Sequence, residues 1–161
     1  MEQLGVDIGG VIIQPTDDDA DTSFFGDNYL ATPAMPGVFE AIATLVERFD
    51  GRVHLVSKCG EQTANHTREW LAHHDFHDRT GVPAERVHFC RTRPEKAPIV
   101  ARLGLTHFID DRLEVLGYLT TVPHRFLFRP NDTEVRAHAE HLPTVRRVES
   151  WPELLTVINA D

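Results

Sequence analysis

The chain has 161 residues, 41% of them apolar, which suits one compact domain over residues 1–161 with a full hydrophobic core. Its formal net charge of -9, with no stripe of lysine or arginine, excludes tracking along a nucleic-acid backbone or docking on an anionic membrane. No run approaches the roughly 18 apolar residues of a spanning helix, and no basic-then-apolar leader opens the chain, so a cytoplasmic protein is expected.

Apolar runs of about five residues alternate with helical patterns of ten or more, the signature of parallel strands joined by crossover helices. The expected class is α/β, a three-layer Rossmann-like arrangement with a parallel sheet of five or six strands. The first strand candidate spans residues 3–13 and carries Asp7, followed by Gly9 and Gly10. Residues 14–35 break the rhythm. An acidic run at Asp17 to Asp19 and Asp21 leads to Phe24 and Phe25, which reads either as a solvated loop or as a flap over the end of the first strand.

A helix follows over 36–49, with Phe39, Ile42, Leu45, Val46 and Phe49 on one stripe and Gly51 beyond its end. Further strands are expected at 53–57, 86–90, 106–110 and 124–128, with an edge strand over 145–148. Helices are expected at 61–74, 94–103, 112–119, 132–141 and 151–158, with Asn131 and Ser150 as caps and Pro94 and Pro152 near helix starts. If the helix over 61–74 continues, His73 and His77 share a face and a metal is conceivable there, although histidines also suit helix ends near free carbonyls. Cys59 and Cys90 lack disulfide-framework or zinc spacing and are read as reduced packing residues.

In open parallel sheets ligands bind beyond the carboxyl ends of the strands. The first strand delivers Asp7 there, and the second ends in Ser57-Lys58. The helix after the third begins Arg93-Pro94-Glu95-Lys96, and the fourth strand ends in Asp110-Asp111-Arg112. A carboxylate in an apolar strand is costly unless paired or holding a metal, and the glycines after it let a ligand approach the backbone. Of the sixteen basic residues only Lys58 and Lys96 are lysines, and both fall in these clusters.

Taken in this order, the four clusters resemble those of the haloacid dehalogenase superfamily across nearly the whole chain. Asp7-Ile8-Gly9-Gly10-Val11 is similar to its D-x-D-G-T/V motif except at Gly9, and Asp110-Asp111 resembles its fourth motif. The resemblance implies that Asp7 is a nucleophile forming an aspartyl-phosphate, with Ser57 and Lys96 stabilising the transferring phosphoryl group. It implies Mg2+ held by Asp7, the Gly9 carbonyl and the acidic pair, with either Asp110 or Asp111 as ligand. Backbone N–H groups around Ile8 and Gly10 would bind phosphate oxygens, and Lys58 is either a substrate contact or an exposed side chain.

Gly9 removes the family's general acid and base, which puts efficient catalysis in question and keeps a second reading open: a non-catalytic protein of this fold that binds metal or a phospholigand and acts through a partner. About fifty residues separate Asp7 from Ser57 and about forty separate Ser57 from Lys96, too few for the family's usual cap domain. A capless site is therefore expected. It would admit a phosphorylated small molecule or protein, or be closed by a second subunit in a homo-oligomer.

Overall fold

A computed structural model describes residues 1–15 and 28–160. Six strands form one sheet: β1 (Leu4–Val6), β2 (Val53–Lys58), β3 (Val87–Cys90), β4 (His107–Asp110), β5 (His124–Phe128) and β6 (Arg146–Val148). Every pairing is parallel and the order is β3-β2-β1-β4-β5-β6. This is the expected three-layer α/β arrangement, and it puts β1 between β2 and β4, the strands that carry the other polar clusters.

Among the described residues the α-helices are α1 (Val38–Arg48), α2 (Glu61–His73), α3 (Phe76–Thr80), α4 (Lys96–Leu103), α5 (Leu113–Tyr118), α6 (Asp132–Ala137) and α7 (Trp151–Asn159). Strand alternation decides which layer each serves. Leu4, Val6, Val53, Leu55, Ile109, Phe126 and Phe128 face a core shared with Ile42 and Leu45 of α1, Trp70 of α2, Phe76 of α3 and Leu154 of α7. Val56, Phe108 and Leu127 face the opposite core, built with Val100 of α4, Leu116 of α5 and Val135 of α6. Gly5 points to that second side, where a Cβ would lie 2.5 Å from Leu105 Cδ1 and 2.6 Å from Phe108 Cδ2, so only glycine lets β1 pack there.

Several boundaries differ from expectation. The strand expected over 3–13 ends at Val6, because Val11, Ile12 and Ile13 all turn their N–H groups back to the Ile8 carbonyl and Gly10 adopts φ +80°. The apolar residues 11–13 are buried, but in a loop and not a strand. The helix after β2 stops at His73, and Asp75 in the left-handed region (φ 54°) turns the chain into the separate helix α3. His73 and His77 therefore do not share a helical face, and His77 Nδ1 instead meets the Val82 carbonyl at 2.7 Å. The helix expected over 132–141 divides into α6 and a 3-10 turn at Ala139–Thr144.

The segment after residue 27 is strapped to α2: Trp70 Nε1 donates to the Thr32 carbonyl at 2.9 Å and His74 Nε2 meets the Leu30 carbonyl at 2.8 Å. Of the expected flap over 14–35, residues 16–27, with the acidic run and Phe24-Phe25, lie outside the described residues. Among the described residues, α2, α3 and a 3-10 turn fill the interval between β2 and β3, and no cap is evident. No described helix is long and apolar enough to cross a membrane.

Candidate functional site

Asp7 follows β1 directly and its N–H donates to the Ile109 carbonyl at 2.9 Å, which docks it against the end of β4. Alternation puts Asp7 on the side of Gly5 and Asp110 on the side of Phe108, the face covered by α4. Lys96 opens that helix and reaches both: Nζ donates to Asp7 Oδ1 at 3.0 Å and to Asp110 Oδ2 at 2.8 Å. Three residues with no sequence proximity thus meet because two adjacent strands and one crossover helix converge at one point.

The turn before α4 aims the lysine. Glu95 Oε1 accepts from the N–H groups of Arg91 and Thr92, at 3.2 and 2.8 Å, and from the Thr92 hydroxyl at 2.9 Å. This closes residues 91–95 so that α4 starts at Lys96 itself, two residues later than expected. Lys96 is 2% exposed and Asp110 fully buried. Burial pulls the ammonium down, but the charges of Asp110 and Asp7 outweigh it and hold Lys96 above the usual lysine range.

The carboxylates show the opposite imbalance. Burial, then the charge of Asp110, pushes the Asp7 carboxyl up to about 6 despite the nearby ammonium. Asp111 is raised well above the usual aspartate range, by burial first and then by Asp7 and Asp110. One lysine does not neutralise two buried acids and a half-buried third. The three each offer an oxygen within 4.8 Å of the others, a set of hard donors that fits a divalent cation such as Mg2+.

The two consecutive aspartates serve different ends. Asp110 uses Oδ2 for Lys96, while its Oδ1 accepts the Arg112 N–H at 3.0 Å. Asp111 leaves the strand, hydrogen-bonds with Asp7 and lies against Gly10, whose missing side chain makes the room. A Cβ on Gly10 would collide with the Asp111 carboxylate, and the residue's φ of +80° is itself a glycine conformation. The Gly10 N–H, expected to face phosphate, donates to the Ile13 carbonyl at 2.9 Å inside the loop. The Ile8 N–H does face the Asp7 carboxylate. Gly9 is exposed, and a Cβ there would meet no atom of the described residues within 4 Å.

These groups line a cleft of about 310 Å³ at the carboxyl end of the sheet, and every sequence-predicted site residue borders it: Asp7, Ile8, Gly9, Gly10, Ser57, Lys58, Lys96, Asp110 and Asp111. Ser57 is buried at the end of β2 and hydrogen-bonds with Cys59. Cys59 and Cys90 are free thiols, and burial pushes both up, Cys90 to about 11, as suits packing residues. Sequence reasoning did not single out Arg93, Arg112, Gln14, Thr63 and Thr67, which also line the cleft. The first two stood inside the quoted clusters, and Thr63 and Thr67 are one helical turn apart on α2, so each carried a positional signal.

No family model matches the chain, and no curated protein matches it. Among solved structures it is similar to a Burkholderia xenovorans LB400 protein assigned to the haloacid dehalogenase-like hydrolases, with TM-score 0.56, 17% identity and 81% of this chain covered. It is also similar to DsGPDH of Dunaliella salina, with TM-score 0.58, 18% identity and 95% of this chain covered. The match spans 61% of the first protein and 28% of the second. At these identities the likeness establishes the fold: the six-stranded α/β arrangement is that of the haloacid dehalogenase-like neighbour.

Proposed function

We propose that this chain is a magnesium-dependent phosphohydrolase or phosphotransferase that works through an aspartyl-phosphate on Asp7. The observation that supports it most is the buried Lys96 ammonium bridging Asp7 and Asp110 at 3.0 and 2.8 Å on the floor of a cleft that also holds Asp111. In this reading Asp7 and Asp111, with the Gly9 carbonyl, hold the cation, and Asp110 anchors Lys96. A bound Mg2+ supplies charge screening between the two anions and polarises the phosphoryl group. Asp7 attacks phosphorus, Ser57 and the Ile8 N–H donate to the phosphoryl oxygens, and Lys96 offsets the negative charge that builds up around them.

The substrate is a phosphorylated small molecule or protein entering an uncapped cleft. Gly9 provides no proton for the leaving group, and general acid assistance is typically worth about a hundred- to ten-thousand-fold. That absence also favours a second reading, a non-catalytic protein of the same fold that binds a metal or phospholigand and acts through a partner. The test is turnover of aryl phosphates with Mg2+ by the parent protein and by Asp7→Asn. Phosphate release by the parent alone, with trapping of radiolabelled phosphate on Asp7, is expected. Equal, background release by both would overturn the catalytic reading.

A further inference from the structure

We infer that the site acts on substrates whose leaving oxygen departs as a stable anion, an acyl phosphate or a phosphoanhydride, with Lys58 and Arg112 stabilising that anion where a proton donor would otherwise stand. The inference rests on the phosphoryl-transfer reading above. Its first support is an absence among the described residues. The lining of the cleft contains no imidazole and no carboxyl group beyond Asp7, Asp110 and Asp111, and the space beside Gly9 is open. Those three aspartates are taken up by the attack, the cation and Lys96, so among the described residues no carboxyl or imidazole is left to protonate a departing alkoxide.

The second support is the placing of the cations. β1 lies between β2 and β4, so Lys58 at the end of β2 and Arg112 just after β4 flank Asp7 from its two sides. Both line the cleft, both are half-buried, and among the described residues neither side chain has an ion-pair partner. The other cations there are already matched: Lys96 by Asp7 and Asp110, and Arg93 by Glu114 at 3.1 Å. In a chain of net charge -9, two unmatched cations beside the candidate nucleophile are well placed to receive an anion that forms there.

The chemistry then balances without a general acid. An Asp7 oxygen bonds to phosphorus as the bond from phosphorus to the leaving oxygen breaks, and the electron pair stays on that oxygen. A carboxylate or phosphate leaving group keeps the pair as an ordinary anion at neutral pH, paired with Lys58 or Arg112, whereas an alkoxide needs a proton. Water next attacks phosphorus, the bond to Asp7 breaks with its electrons returning to the carboxylate, and the water proton leaves on the released phosphate.

The experiment measures kcat/KM with Mg2+ for acetyl phosphate, pyrophosphate and glycerol phosphate in the parent protein, Gly9→Asp and the Lys58→Ala/Arg112→Ala double variant. The parent should favour acetyl phosphate or pyrophosphate over glycerol phosphate by about a hundredfold or more, the better of the two identifying the anion. Gly9→Asp should shrink that ratio at least about tenfold by raising glycerol phosphate turnover, and the double variant should lower turnover of the preferred anhydride about tenfold. Calorimetry gives a readout free of turnover: phosphonoacetate should bind the parent about tenfold tighter than methylphosphonate, and the double variant should lose that preference. Turnover with a ratio near one overturns this inference and leaves the hydrolase reading standing. No turnover of any of the three overturns both, and an unchanged phosphonoacetate preference in the double variant removes Lys58 and Arg112 from the role.

Discussion

Among the described residues, two groups of three side chains bring metal-ligating atoms within 4.8 Å of one another: Asp7, Asp110 and Asp111 at the end of β1 and β4, and Glu114, Glu134 and His138 between α5 and α6. In the second group every carboxylate oxygen has a donor. Glu134 accepts the Leu113 and Glu114 N–H groups at 2.9 and 3.0 Å, and Glu114 accepts from Arg93 at 3.1 Å and from the Tyr118 hydroxyl at 2.8 Å. The Tyr118 hydrogen bond, helped by Arg93, holds the Glu114 carboxyl below its usual range. In the first group the Asp7 and Asp111 carboxyls stand above theirs. Proximity of acids is common to both; unmet negative charge belongs only to the buried group, and unmet charge is what a cation recognises.

Lys96 carries the largest share of the difference between the two groups. Lys96→Ala leaves Asp7 and Asp110 buried without their counter-charge and should cost about 3 to 5 kcal/mol in urea unfolding, along with all turnover. A midpoint equal to the parent's would show that the aspartates do not depend on it.

A pH series sharpens the contrast. With the protein stripped of divalent cations, the Asp7 carboxyl at about 6 when folded against 3.8 when unfolded means that the folded state binds the proton more tightly. That stabilising contribution is fully present below pH ~4 and is lost as pH rises through about 6, a difference of about 3 kcal/mol. The unfolding free energy of Asp7→Asn relative to the parent should therefore grow by that amount between pH ~4 and ~7, with Mg2+ reversing the trend for the parent alone. A flat difference would remove Asp7 from the charge imbalance.

The smallest effect is expected in the satisfied group. Glu134→Gln keeps one acceptor for the first turn of α5 but removes the charge, and should cost about 1 kcal/mol in thermal unfolding while leaving Mg2+ affinity unchanged in calorimetry. Weakened Mg2+ binding in this variant would place the cation in the wrong group.

Much of this arrangement was legible along the chain. Periodicity located all six strands to within a few residues apart from the end of β1, and the Asn131 and Ser150 side chains cap α6 and α7 as expected, accepting from Thr133 and Glu153 among others. The four polar clusters named every residue expected at the site, because strand ends in a parallel sheet converge on one edge. The loop at Ile8 to Ile13 was not legible, since an apolar run reads alike whether it is buried in a strand or in a turn. Nor was the break at Asp75, which depends on one residue entering the left-handed region.

The class of fold, the parallel sheet and the identity of the charged groups at its carboxyl edge follow from the amino-acid sequence, because hydrophobic periodicity and strand order are written in local spacing. The folded packing is what assigns Asp110 to Lys96 and turns Asp111 to Asp7, and what makes Gly10 necessary for Asp111 to fit. It alone showed that no described residue fills the space beside Gly9 and that Lys58 and Arg112 flank Asp7. Those outcomes depend on the distance between groups up to about a hundred residues apart in the chain, and on the low dielectric they share once buried, neither of which local spacing encodes.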